Sequence, residues 1–328
     1  MAKQALPVWA KPGWSPRRVL APLDGSHESE RVLRKCMPLL RQLKASITLL
    51  AAVDGEDPAS FRDPREVTDP AALAELQDAV DRSRGATRSA ESYLKSVESA
   101  IGGQNQISLR VAYGEPAEAI IEVAESEDAD MVVMATRRES TLMRGILGST
   151  TSRVLHHVGR PVLVVRVEED GQPITANWPQ NVITPVDVTP MSELAVNPSI
   201  SLARVAGAVV RFLRVTPRVY YPASGGAIEY AGSGIFFGQE LRFEAFQYLA
   251  PMVDVARAEG VDAFAEARSG SAAGEIVDLA RELPDSLIVM TTHAREGLLR
   301  MTLGSTADKV VRASARPVLL LPMNAEER

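Results

Sequence analysis

The feature that most limits what this 328-residue chain can fold into is its repetition. "RRVLAPLDGS" (17–26) is echoed by "NVITPVDVTP" (181–190), each an apolar run ending in Pro-x-Asp. "AYGEPAEAIIEVAESEDADMVVMATR" (112–137) is followed in the same order by "ARSGSAAGEIVDLARELPDSLIVMTTH" (267–293). "ILGSTTSRVL" (146–155) precedes "TLGSTADKVV" (302–311), and "RPVLVV" (160–165) precedes "RPVLLL" (316–321). Gly114 and Gly270, Gly148 and Gly304, and Pro161 and Pro317 all stand 156 apart, whereas Asp24 and Asp187 stand 163 apart. The second copy is therefore seven residues shorter upstream of its glycine. Such order-preserving self-similarity marks a duplicated domain of roughly 145 residues. The boundaries it predicts are a tail over 1–16, a domain over 17–167, a linker over 168–180, a second domain over 181–323 and a tail over 324–328. Trp14 and Trp178, ten and nine residues ahead of the aspartates, are expected to pack where the chain enters each domain.

Each copy alternates between two hydrophobic periods. In the first, the apolar runs "RVLAPL", "SITLLAAV", "ISLRVAY", "DMVVMA" and "PVLVV" read as strands, separated by helical stretches near 27–43, 70–100, 116–126 and 149–157. Strands that are apolar on both faces and alternate with helices imply a parallel sheet covered on both sides. The fold class is thus α/β: two tandem doubly wound, five-stranded parallel-sheet domains of Rossmann-like layout with strand order 3-2-1-4-5. The polar insert "DGEDPASFRDPREVTDP" after the second strand, and its counterpart "TPRVYYPASGGAIEYAGSG" (216–234), read as loops.

A formal charge of −6 and a pI near 5.5 provide no basic footprint for nucleic acid, and no run of 18 apolar residues suits a membrane span. The N-terminal stretch lacks the apolar core of a secretory signal, and one cysteine excludes an internal disulfide. A cytoplasmic location is expected. Cys36, in "RVLRKCMPLL", lies among apolar residues at helical spacing and reads as core.

In a sheet of order 3-2-1-4-5 the chain reverses between strands 1 and 4, which opens a ligand crevice at their carboxyl ends. Asp24 and Asp187 end strand 1, and Ala135-Thr136-Arg137-Arg138 and Thr291-Thr292-His293-Ala294 follow strand 4. Gly148-Ser149-Thr150 and Gly304-Ser305-Thr306 open the last helix of each copy. The triplets have two readings: ordinary helix caps, or phosphate seats built on unpaired first-turn N–H groups. The aspartates likewise either cap the following loop or receive base and sugar hydroxyls. Together the pieces describe a nucleotide site better than any one does alone.

"VLAPLDGS", "GEPAEAI", "LGST" and "RPVLVV", with their second-copy counterparts, make the chain similar to tandem universal stress proteins over about residues 17–322. The resemblance implies an adenine nucleotide alpha hydrolase-like fold and a role in stress regulation. Members that bind ATP carry Gly-x2-Gly-x9-Gly-(Ser/Thr) after strand 4. The spacing survives in both copies, but the residues read Ala135, Arg138, Gly148, Ser149 and Thr291, Ala294, Gly304, Ser305. Ala294 adds one methyl where glycine would let the backbone approach a ligand, whereas Arg138 adds a long cation that fills the crevice, points to solvent or reaches a phosphate. The second domain is therefore expected to be the more competent. The implied nucleotide-binding set is Asp187, Thr189, Val215, Thr291, His293, Ala294, Gly304, Ser305 and Thr306, with Asp24, Val53, Ala135, Arg138, Gly148, Ser149 and Thr150 in the first copy. ATP is the implied cofactor, with Mg or Mn held through its phosphates only. The alternative is a dimerisation and interaction scaffold with degenerate crevices.

His27, His156, His157 and His293 show no metal-ligand spacing, and no Gly-x4-Gly-Lys-(Ser/Thr) loop occurs, so no catalytic residue is assigned. His156 and His157 suit a helix C-terminus. The closing strands, 161–166 and 317–321, are apolar on both faces and would be edges needing cover. They are expected to pair with each other, antiparallel, as a pseudo-twofold within one chain. A further homodimer is compatible with this.

Overall fold

The computed structural model describes residues 11–102, 105–136, 147–166, 178–218, 227–292 and 303–322, the side chains of 227–238 excepted. The chain divides into two compact units, one holding Pro16–Arg137 and Leu147–Val162 and the other holding Leu163–Arg328 together with the residues before Pro16, so that most of the first repeat's closing strand groups with the second repeat.

In the first repeat, β1 (Arg18–Leu23), β2 (Ser46–Val53), β3 (Ile107–Tyr113), β4 (Met131–Thr136) and β5 (Val162–Arg166) alternate with four helices. These are α1 (His27–Gln42), α2 (Pro70–Ile101), α3 (Pro116–Ser126) and α4 (Ser149–His157). The strands lie in the order β3-β2-β1-β4-β5. β1 pairs in parallel with β2, Leu23 opposite Ala51, and with β4, Val19 opposite Met131. The second repeat contains β6 (Asn181–Pro185), α5 (Pro190–Glu193), α6 (Val196–Ala206), β7 (Val209–Thr216), α7 (Ala227–Ala258), β8 (Ala263–Ser269), α8 (Ala272–Glu282), β9 (Ser286–Thr291), α9 (Ser305–Ala313) and β10 (Val318–Leu321). Its strand order, β8-β7-β6-β9-β10, is again 3-2-1-4-5. The two copies agree down to single bonds: Val132 N–H donates to the Pro161 carbonyl at 2.9 Å, and Ile288 N–H to that of Pro317 at 3.0 Å.

The central strands are buried because helices cover both faces, which explains their unbroken apolar runs. All six residues of β9 and all four of β10 are buried. Cys36 faces this core with no exposed surface, and burial pushes its thiol up to about 12. Trp14 and Trp178 are both buried, but Trp14 groups with the unit built on the second repeat and not with the repeat it precedes, which departs from the sequence reading.

Two elements depart from the sequence reading. The segment 216–234 is not loop throughout, because α7 already begins at Ala227 and so matches the length of α2. A Gly-containing stretch costs helix propensity, but here it continues a long helix that packs on β7 and β8. The first helix of the second repeat is also split at Leu194–Ala195, four residues ahead of Pro198, which has no N–H to give the Leu194 carbonyl. The missing seven residues can also be located. Asp24 to Val53 and Asp187 to Thr216 are both 29 residues, so the shortening lies in the connections flanking α7.

Candidate functional site

The turn after strand 1 is built alike in both repeats. Asp24 Oδ1 accepts the Ser26 N–H at 3.0 Å and also the Ser26 hydroxyl. Ser26 in turn caps α1, its oxygen accepting Ser29 N–H at 3.2 Å. Asp187 Oδ1 accepts the Thr189 N–H at 2.8 Å and the Thr189 hydroxyl, and Thr189 caps α5. Asp24, Asp187 and Thr189 therefore all have structural work in closing a turn at the sheet's carboxyl edge.

The last helix of each repeat starts without a side-chain cap, and so does α6, which follows directly from α5 with Ala195 at its cap position. α1, α2, α3, α5 and α8 each start under a side-chain cap, supplied by Ser26, Asp69, Glu115, Thr189 and Ser271. α4 and α9 start on Gly148 and Gly304, which provide none. Ser149 and Ser305 occupy the first helical position and Thr150 and Thr306 the second. Among the described residues the four hydroxyls make no hydrogen bond. The capping reading of the triplets thus fails in its simple form. First-turn N–H groups and hydroxyls instead converge with the positive end of the helix dipole, a donor set suited to an anion.

α4 is anchored to the end of β4 by the Thr151 hydroxyl, which donates to the Ala135 carbonyl at 3.3 Å. In the second repeat Ala307 stands in its place and is buried, and Thr292 N–H, just beyond Thr291, bonds instead to the Leu321 carbonyl at 2.9 Å. Asp308, in the first turn of α9, is turned along the helix to Arg312 Nε at 2.7 Å. Arg138, His293 and Ala294 lie outside the described residues.

Val53 and Val215 prove not to be equivalent. The Val53 carbonyl accepts Gly114 N–H at 3.0 Å, and the corresponding bond, at 2.9 Å, runs from Gly270 N–H to Thr216. Register agrees, since Val53 faces Tyr113 and Thr216 faces Ser269. Thr216 is the counterpart of Val53, and Val215 that of Ala52.

One pair of residues escaped the sequence reading. Tyr248 on α7 donates its hydroxyl to Glu193 Oε1 at 2.7 Å and reaches the Asp187 carbonyl, while the Arg214 guanidinium lies 5.2 Å from its ring centre. Burial and the neighbouring Glu193 carboxylate raise its pKa. Tyr93 holds the same place on α2, near Gly25 and Ser29, but its buried hydroxyl makes no hydrogen bond. The available signal was the dipeptide Tyr-Leu, at 93–94 and 248–249, whose leucines are fully buried. Among the described residues no group of three or more His, Cys, Asp or Glu side chains could hold a metal ion, and no helix is long and apolar enough to cross a membrane.

An open doubly wound sheet with strand order 3-2-1-4-5 in each of two repeats defines the class: a Rossmann-like α/β protein with a switch point between strands 1 and 4 of each repeat. Comparison with known proteins gives the family. The family model for universal stress proteins matches residues 16–166 and again 179–322, and the chain belongs to that family. It is 26% identical to a universal stress protein of Mycobacterium tuberculosis over 236 residues, 69% of this chain and 73% of that one. A universal stress protein of Methanocaldococcus jannaschii is 29% identical over 154 residues, 46% of this chain and 86% of its own. The crystal structure of a universal stress protein from Archaeoglobus fulgidus shares the fold, with a TM-score of 0.63 at 17% identity over 94% of this chain and 98% of that one.

Proposed function

We propose that this chain is an adenine-nucleotide-binding regulatory protein of the stress response, acting in the cytoplasm by binding rather than by catalysis. The observation that carries the reading is the absence of any side-chain cap on α4 and α9 while Ser149, Thr150, Ser305 and Thr306 keep their hydroxyls unengaged. ATP phosphates fit that donor set, with Mg or Mn riding on the phosphates. Asp187 and Thr189 would border the ribose, Val215 and Thr216 the base, and Thr291, His293 and Ala294 the loop over the crevice. In the first repeat Asp24, Val53, Ala135 and Arg138 take the same places, and Arg138 makes that crevice the weaker of the two.

The domains span 17–167 and 181–323, and the apolar closing strands, 161–166 and 317–321, pair antiparallel within the chain. The competing reading, a scaffold with degenerate crevices, draws on the Asx turns that already occupy one oxygen of Asp24 and of Asp187. Acid release of bound nucleotide from the purified full chain, followed by ATP titration of the emptied protein, separates the two. Stoichiometric or saturable adenine nucleotide supports binding, and none at millimolar ATP leaves the scaffold.

A further inference from the structure

We propose that the β3 edge of the first repeat is a self-association surface, on which a second copy of this chain adds its own β3 antiparallel about a two-fold axis at Val111. A trough of about 670 Å³ runs along this edge, lined by five consecutive strand residues, Leu109–Tyr113, and flanked by α2 and α3. The strand is two-sided. Tyr113 Oη lies 3.0 Å from Thr87 Oγ1 on α2, so Ile107, Leu109 and Val111 share an apolar α2 face. Ser108, bonded to Thr48, and Arg110 share the α3 face.

The charges above the trough select the partner. Glu91 and Lys95 are both exposed, both line it and stand one helical turn apart, yet neither forms an ion pair among the described residues. From the Thr87–Tyr113 contact, six residues of helix rise about 9 Å, and about three residues of the oppositely running strand cover the same distance. The midpoint of Glu91 and Lys95 therefore lies level with Arg110 and Val111. A two-fold axis there sets Glu91 of each copy against Lys95 of the other, two reciprocal pairs from one surface. Adding a strand at about 4.8 Å brings the two α2 helices, each lying over β2 and β3, to about 10 Å apart, an ordinary helix packing distance. Centring on Val111 rather than Arg110 places Val111 against its copy and Arg110 against Ala112, which avoids facing guanidinium groups. The other outer edge, β8, carries no comparable unpaired charge couple among the described residues, its charged side chains being engaged within the repeat. On β8, Arg211 spans Glu266 and the Phe264 ring, and Arg268 is tied to Glu282.

The test uses the full chain. Sedimentation velocity should show concentration-dependent dimer. Glu91→Lys and Lys95→Glu should each weaken it roughly tenfold, since each replaces two attractions by two repulsions, and the double exchange should restore it. Because Cys36 is buried, Val111→Cys adds the only accessible thiol among the described residues and should form a symmetric disulfide under mild oxidation. Ser108→Cys, three residues from the axis, should not. A wild type that stays monomeric to about 100 µM, a double exchange no better than the single variants, or equal cross-linking at 108 and 111 would overturn the proposal.

Discussion

Replacing Gly304 by Asp separates the structural from the ligand-binding use of the α9 start. Gly304 sits at φ −59°, ψ 149° and Gly148 at φ −55°, ψ 147°, extended conformations open to any residue, and a Cβ at Gly148 meets nothing within 4 Å. An Asp there would cap the helix and place a carboxylate on the dipole. Relative to glycine the cap is worth a few tenths of a kcal/mol and the charge about 0.3–1 kcal/mol. For a repeat of this size that raises the melting temperature by about 1–4 °C. The same carboxylate occupies the phosphate seat, and each lost hydrogen bond to a charged phosphate removes roughly 1.5–3 kcal/mol, so ATP affinity should fall more than tenfold. Thermal unfolding without nucleotide and calorimetric titration with ATP read the two effects on one sample. Gly304→Asp should thus be more stable and bind worse, and Gly148→Asp should gain the same stability with a smaller loss of total binding. A lower melting temperature would refute the cap geometry, and unchanged ATP affinity would refute the phosphate seat.

Ser305→Ala should weaken ATP by roughly 1.5–3 kcal/mol, measured by the same titration, if its hydroxyl meets an ionised phosphate. Arg138→Gly should create or strengthen binding in the first crevice, and Arg138→Ala should do so less; affinity that falls on either change would make the arginine a phosphate contact. Burial holds the Cys36 thiol at about 12 against an ordinary value of 9.0. The stability this contributes is complete below pH 9 and lost as pH rises through 12. Between pH 8 and 10.5, urea unfolding should therefore show the wild type losing about 2 kcal/mol more than Cys36→Ala. Tyr248→Phe should cost about 1 kcal/mol through its bonds to Glu193 and the Asp187 carbonyl, whereas Tyr93→Phe should be neutral or stabilising, because its hydroxyl is buried without a partner.

Most of the architecture was legible because the repeat and the hydrophobic periods agree. β1, β2 and β3 run over the segments read from sequence, and the four helices of the first repeat match to within a residue or two. Positions that depend on register rather than period were harder. Val53 and Val215 both stand near the end of strand 2, and period alone does not separate Val215 from its neighbour Thr216. Only the backbone bond from Gly270 shows that the threonine is the match. The split after Leu194 follows from a single proline, while Pro38 lies inside α1 without dividing it, so composition alone does not decide. Tyr93 and Tyr248 were hidden because an aromatic residue on an amphipathic helix first suggests core. Their link to the strand-1 turn is a tertiary contact that no local pattern encodes.

The Gly-Ser-Thr triplet was read from the start as either cap or ligand seat, and position within the first turn is what distinguishes them. A Ser or Thr at the cap itself has extended backbone and reaches the N–H group three residues on, as Ser26, Thr189 and Ser271 do. Moved one step inward, the same hydroxyl rides on helical backbone and leaves that group open. The shift occurs in both copies, 156 residues apart, although the residues that follow have diverged from Thr151-Ser152 to Ala307-Asp308. Helix stability does not call for it, since a Ser at 148 or 304 would close the turn at no conformational cost. An uncapped start present in both copies, on the helix that follows strand 4 at the switch point, is best explained by something outside the chain that completes the cap. A phosphate does so with full charge, which is why stability and affinity should move in opposite directions when Asp takes the place of Gly304.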